Sequence, residues 1–224
     1  MQSYKQEFIH FMVRAGVLTF GDFITKSGRA TPYFINTGNY RTGSQISALG
    51  DYYAACIDAS GENFDALFGP AYKGIPLSVA AASSLYRRYD RDIAFCFNRK
   101  EAKDHGEGGS LIGHKPQAGN RIAIIEDVVT AGTAVRETVA LFAQVADVTL
   151  TALFVSVDRM ERGTGEVSTL QELRDTLGLC VYPIVTVREI IDCLHNQELD
   201  GRVVITDEMR EKMEAYLALY GGRT

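Results

Sequence analysis

Apolar residues recur at helical intervals near the start of the chain. Phe8, Phe11, Met12 and Val13 mark one side of a short amphipathic helix that ends near Gly16. The stretch KSGRATPYFINTG, residues 26–38, crowds Gly, Pro and Thr, and its one strand-like piece is Tyr33 to Ile35. It reads as a loop or hairpin lying over the rest rather than as core. A second helical pattern runs from Ser44 to Ala59. From there short apolar runs alternate with helical ones. Strands are expected at 64–69, 92–98, 121–129, 150–158 and 181–187. Helices are expected through 77–89, from a loop at 130 into a helix reaching 145, and near 169–177, 187–195 and 206–220. A polar, glycine-bearing loop takes 99–115.

Apolar strands alternating with helices form βαβ units. The predicted fold is therefore α/β, with a mostly parallel central sheet flanked by helices on both faces. No repeat, low-complexity tract or interdomain linker interrupts the 224 residues, so one domain is expected over 1–224. Residues 1–40 stand outside the alternation and are assigned to a small N-terminal hood on the sheet. The last sixty residues supply sheet and surface helices and carry no motif.

Composition narrows the chemistry. A net charge of -5 argues against nucleic acid, which needs a basic face, but leaves room for small anions held by local Lys and Arg. Cys56, Cys96, Cys180 and Cys193 form no C-x-x-C pair, and the first, second and third lie in apolar segments; buried free thiols are expected. The histidines at 10, 105, 114 and 195 lack the helical spacing of a zinc site. The N-terminus has charges within its apolar stretch, and no apolar run approaches membrane-span length, so a cytoplasmic protein without membrane contact is expected.

The most informative segment is RIAIIEDVVTAGTAVRE, 121–137. An apolar strand runs into Glu126 and Asp127, and a small-residue loop, Thr130-Ala131-Gly132-Thr133, opens a helix. Such a loop presents free backbone N–H groups and a positive helix end to an anion, and Gly132 lets the backbone approach closely. A site for phosphate alone would exclude the two carboxylates. A ribose phosphate accounts for both features, its phosphate on the loop and its hydroxyls on the acids. The competing reading, a strand-end cap before an ordinary helix start, suits T-A-G-T by itself but not the whole ordered run. Neither a Walker loop nor a dinucleotide fingerprint is present.

IAIIEDVVTAGTA closely resembles the phosphoribosyl pyrophosphate (PRPP) motif of type I phosphoribosyltransferases. Four further segments resemble the orotate branch of that family: KSGRATPYF (26–34), GPAYKGIPL (69–77), RKEAKDHGEGG (99–109) and VSVDRMERG (155–163). The resemblance covers most of residues 20–163 and implies the type I phosphoribosyltransferase fold. It implies PRPP contacts at Tyr72, Lys73, Arg99, Lys100, Lys103, His105, Glu126, Asp127, Val128, Val129, Thr130, Ala131, Gly132, Thr133 and Ala134. Orotate contacts are implied at Lys26, Phe34, Ile35, Thr130 and Arg159. Arg159 suits a planar carboxylate because its fork binds both oxygens; its bland alternative is an exposed pairing with Asp158 or Glu161. For Lys26 and Lys73 the bland alternative is a solvated loop lysine, and for 99–109 a charged surface loop. Two positions depart from many relatives: Ile35 replaces a Phe, and Glu126 replaces an Asp.

By the same resemblance, N1 of orotate attacks C1 of the ribose and pyrophosphate leaves. The catalytic group is Lys26, Lys73, Lys103, His105 and Asp127. The segment 99–109 acts as a lid on the leaving group, and Mg2+ is bound mainly through substrate oxygens and water. A homodimer with shared active sites is implied, since the lid of this family reaches into the neighbouring subunit. Two rival functions fit the sequence less well. A purine phosphoribosyltransferase shares the phosphate loop but not KSGRATPYF or Arg159. A regulator that lost catalysis would have a degraded lid and a basic extension, whereas this chain keeps Lys100, Lys103 and His105.

Overall fold

The computed structural model describes residues 1–25, 28–100, 110–163 and 165–223. A six-stranded sheet has the order β5-β4-β3-β6-β7-β8. The strands are β3 (Ala66–Phe68), β4 (Ala94–Asn98), β5 (Leu111–Gly113), β6 (Arg121–Glu126), β7 (Thr149–Asp158) and β8 (Cys180–Thr186). All neighbours pair in parallel except β4 and β5. Along β6 the side chains alternate between two cores. Ile122 and Ile124 join Phe68, Leu153 and Val155 on one face; Ala123 and Ile125 join Leu67 and Phe154 on the other. These side chains are fully buried, and each large one contributes roughly 1.5–3 kcal/mol of transfer free energy. Burial on both faces is why these strands read as unbroken apolar runs.

Helices cover both faces. α1 (Ser3–Arg14), α2 (Gly43–Ser60), α3 (Gly74–Tyr89), α6 (Val187–Leu194) and α7 (Asp207–Tyr220) contribute to the first core, and α4 (Thr133–Val145) and α5 (Thr169–Leu177) to the second. Local chemistry sets their ends. α2 starts on a reciprocal capping box between Thr42 and Gln45 and stops at Gly61, whose φ is 68°. α6 uses the same box with Thr186 and Glu189. Between β3 and α3 the turn is tight enough to exclude a side chain: a Cβ on Gly69 would lie 2.0 Å from the Gly74 carbonyl oxygen.

Several expectations need correction. Strand pairing in the N-terminal part extends well beyond Tyr33–Ile35: β1 (Leu18–Ile24) and β2 (Ala30–Ile35) form an antiparallel hairpin apart from the main sheet. The stretch 99–115 is not all loop, since β5 adds an antiparallel edge strand. The strand expected to run to 129 stops at Glu126, so Asp127, Val128 and Val129 belong to the loop. A small hairpin of β9 (Glu198–Leu199) and β10 (Arg202–Val203) had no counterpart. Cys56 and Cys96 are buried free thiols, but Cys180 is exposed and Cys193 only half-buried. No helix among the described residues is long and apolar enough to cross a membrane.

Candidate active site

The strand exit at Glu126 is tied down through its carbonyls. Tyr53 Oη donates to the Glu126 carbonyl at 2.6 Å. Ser156 donates to the Asp127 carbonyl twice, from its backbone N at 2.9 Å and its Oγ at 2.6 Å. Thr169 Oγ1 donates to the Thr130 carbonyl at 2.7 Å. All of these use the loop's carbonyl acceptors rather than its N–H donors. The first N–H groups of α4 have no intrahelical partner, and Gly132 precedes them with φ 72° and no side-chain cap. They face a cavity of about 310 Å³ lined by Tyr72, Lys73, Glu126 to Thr130 and Gly132 to Ala134 among others. A cavity bordered by a helix N-terminus and two carboxylates is the geometry expected of an anion cradle beside polar hydroxyls.

Gly132 is needed for this shape. A methyl there would sit 3.2 Å from Leu173 Cδ2, in a left-handed conformation that costs an L-residue about 1–2 kcal/mol. Gly132→Ala is therefore expected to lower stability by about that amount in denaturant melts, with weaker PRPP binding. Unchanged stability would show that the loop adopts another shape.

Lys73 sits at the tip of the turn between β3 and α3. Its Nζ lies 2.6 Å from Asp127 Oδ2 and 3.0 Å from Thr37 Oγ1, and Thr37 donates to the same Oδ2 at 2.6 Å. Thr37 belongs to a short 3-10 turn after β2, so this triangle joins the N-terminal segment, the turn and the phosphate loop. Asn98, at the end of β4, accepts from Ala71 N at 2.8 Å and steadies the turn. Lys100 Nζ lies 5.5 Å from the centre of the Tyr72 ring.

Glu126 is buried, and burial, reinforced by the neighbouring Asp127, raises its pKa from 4.5 to about 7; the Asp127 N–H and the Lys73 and Lys100 charges oppose this. The sign of the consequence follows. Between about pH 4.5 and 7 the unfolded chain loses a proton that the folded chain keeps, so rising pH removes stability across that window. Glu126→Gln has no such proton. Its Tm relative to wild type is expected to rise between pH 5 and pH 8; a constant difference would disprove the shift.

A second cavity, of about 680 Å³, shares Lys73, Asp127, Val128, Val129 and Thr130 with the first. It adds Phe34 and Ile35 from β2, Arg159 just after β7, and Arg29 and Glu161. Arg159 Nε and Nη2 donate to Glu161 Oε1 at 2.9 and 2.7 Å. The bland pairing with Glu161 is thus present, yet Arg159 is largely buried and still lines the cavity.

Most of the predicted residues come together in these two adjoining cavities. Arg99, Lys100 and Ala131 line neither, although Lys100 lies against the Tyr72 ring and its charge acts on Glu126. Lys26, Lys103 and His105 lie outside the described residues. Thr37, Asn98, Ser156 and Glu161 were missed. Thr37 lay in the stretch 26–38, and Ser156 and Glu161 in 155–163, but in neither were they assigned a role; Asn98 closed a strand and carried no local signal.

Residues 36–167 match the model of the phosphoribosyl transferase domain. The orotate phosphoribosyltransferase of Clostridium beijerinckii is 51% identical over 224 residues, covering 100% of both chains. The chain belongs to the orotate phosphoribosyltransferase family. A second member, from Lachnoclostridium phytofermentans, is 52% identical over 222 residues and covers 99% of each chain. The crystal structure of the Francisella tularensis orotate phosphoribosyltransferase superposes with a TM-score of 0.84 at 33% identity, covering 96% of this chain and 100% of that one. The family's type I fold, a mostly parallel sheet between helices, is the fold described above.

Proposed function

We propose that this chain transfers the 5-phosphoribosyl group from PRPP to N1 of orotate, giving orotidine 5′-phosphate and pyrophosphate in pyrimidine biosynthesis. The observation that supports this best is the joining of two cavities at Lys73 and Asp127, one with an anion cradle and one with an arginine beneath the β1–β2 hairpin. A ribose phosphate fits the first and a planar carboxylated base fits the second, with the sugar's C1 between them.

In this reading the N–H groups at Thr130 to Ala134 hold the 5-phosphate. Glu126 and Asp127 take the ribose hydroxyls. The N1–C1 bond forms as the C1–oxygen bond to pyrophosphate breaks, through a sugar that resembles a cation. Asp127 lies where its charge stabilises that sugar, while Lys73, Arg99, Lys100, Lys103 and His105 hold the departing pyrophosphate. Lys26 is assigned a role at the reacting centre by the family resemblance alone, and Phe34, Ile35, Thr130 and Arg159 hold orotate.

The donor set fits a magnesium ion held mainly by substrate. Both hydrogen bonds to the Asp127 carboxylate fall on Oδ2. Asp127 and Glu126 are the carboxylates placed to meet such an ion, which when bound would neutralise charge on the diphosphate.

We further propose a cytoplasmic homodimer with shared active sites, in which Lys103 and His105 act on the neighbouring subunit's substrate. Exposed Tyr72, Val79 and Tyr86 give the region of α3 an apolar surface for that contact. The whole of 1–224 is read as one domain, with 1–40 contributing the hood. The test is an absorbance assay of orotate loss with PRPP and Mg2+, with hypoxanthine, adenine and uracil as rivals. Selective, magnesium-dependent loss of orotate with pyrophosphate release is expected. Preference for a rival base would overturn the assignment of Arg159 and residues 26–34.

A further inference from the structure

Glu161 draws together parts of the chain far apart in sequence. Its Oε1 accepts from Tyr33 Oη and Tyr216 Oη, each at 2.9 Å, as well as from Arg159. Its Oε2 accepts from Arg29 Nη2. Tyr33 lies on β2, Arg159 follows β7, and Tyr216 lies on α7. The Arg159 guanidinium sits 5.3 Å over the Tyr33 ring, and that of Arg29 lies 5.5 and 4.9 Å from the rings of Tyr216 and Tyr220. The side chains of Glu161 and Arg159 are 12% and 14% exposed. Burial pushes the Glu161 carboxyl up, but Arg159 and Arg29 pull it below its ordinary value, so it is ionised.

Two features follow from this geometry. One carboxylate serves two guanidiniums, both of which line the larger cavity; overall that lining has four basic and three acidic side chains among the described residues. Also, Glu161 occupies the Nε–Nη2 edge of Arg159, and among the described residues no hydrogen bond uses Nη1. The Nη1–Nη2 end, the other fork of the guanidinium, is left for a second carboxylate.

We propose that Glu161 is a positioning residue for base recognition: it fixes Arg159 by one edge so that the other meets the carboxylate of the base, and it cancels one of two arginine charges so that one remains for a monoanionic ligand. Arg29, Tyr33 and Tyr216 hold the Glu161 carboxylate in place. This rests on the assignment of orotate as acceptor.

The test is a double-mutant cycle with steady-state kinetics on the full chain. Glu161→Gln is expected to raise the KM for orotate about tenfold or more, with kcat and the KM for PRPP changed less than about threefold. In an Arg159→Ala background the same substitution should alter the orotate KM by less than about twofold, because its target is gone. Effects that multiply in the double variant, or equal losses for both substrates with a lowered Tm, would overturn the proposal and leave Glu161 a structural tie. Tyr216→Phe removes one donor to Glu161 and tests the same link should Glu161→Gln not fold. It is expected to raise the orotate KM about two- to threefold without moving that for PRPP, and an unchanged orotate KM would again overturn the proposal. A wild-type protein that fails to consume orotate would overturn the acceptor assignment and this inference with it, an outcome distinct from both.

Discussion

Asp127→Asn is expected to lower kcat by about two to three orders of magnitude while leaving the fold intact. Asparagine keeps the shape of the side chain, and its carbonyl can still accept from Thr37 Oγ1 and Lys73 Nζ, which now meet on Oδ2. The loss of a charge at Lys73 costs little for folding, because that lysine is 65% exposed and water screens it. The loss at the reacting sugar is different. Asp127 is 13% exposed and borders both cavities, so its charge acts across a poorly solvated space on a ribose that turns cationic as pyrophosphate departs. Binding of the ground state involves no such cation, so the KM for PRPP should move much less than kcat. The check is kcat and both KM values beside a thermal melt. A kcat within about threefold of wild type in a folded variant would remove Asp127 from transition-state stabilisation.

What could be read from sequence divides along a physical line. Strands buried on both faces carry their signal locally, which is why the central sheet was legible. β1 was not: Leu18–Ile24 is half-exposed, its pairing with β2 is irregular between Phe20 and Phe23, and a glycine at φ 150° interrupts it. β5 is a three-residue edge strand with nothing but its pairing to define it. The run to 129 was overextended because Val128 and Val129 suit a strand, whereas Asp127 turns its carbonyl to the N–H and hydroxyl of Ser156. The same division holds in the site. The anion cradle is one continuous run of residues and could be recognised as such. The arrangement at Glu161 joins residues 132, 128 and 55 positions away, and no window of sequence contains it. Its C-terminal partner, Tyr216, lies in the sixty residues that carried no motif.

Arg159→Ala is expected to reduce kcat/KM for orotate about 100- to 1000-fold, the scale set by removing one partner of a desolvated charge pair. The fold should survive, because Glu161 keeps Arg29, Tyr33 and Tyr216 as donors and is not left as an unpaired buried charge. Arg159→Lys should recover only a small part of the loss. A lysine retains the charge but has no fork, so it cannot hold Glu161 along one edge and a ligand carboxylate with the other. The decisive comparison is with a base that lacks the carboxylate. For uracil the arginine has no carboxylate to bind, so whatever turnover it has should change by less than about threefold, and the preference for orotate should collapse through orotate alone. Parallel losses for orotate and uracil would mean that Arg159 supports the cavity generally and does not read the carboxylate. A preserved preference with normal orotate turnover would place recognition elsewhere in the larger cavity, where Arg29 is the other guanidinium within reach of Glu161.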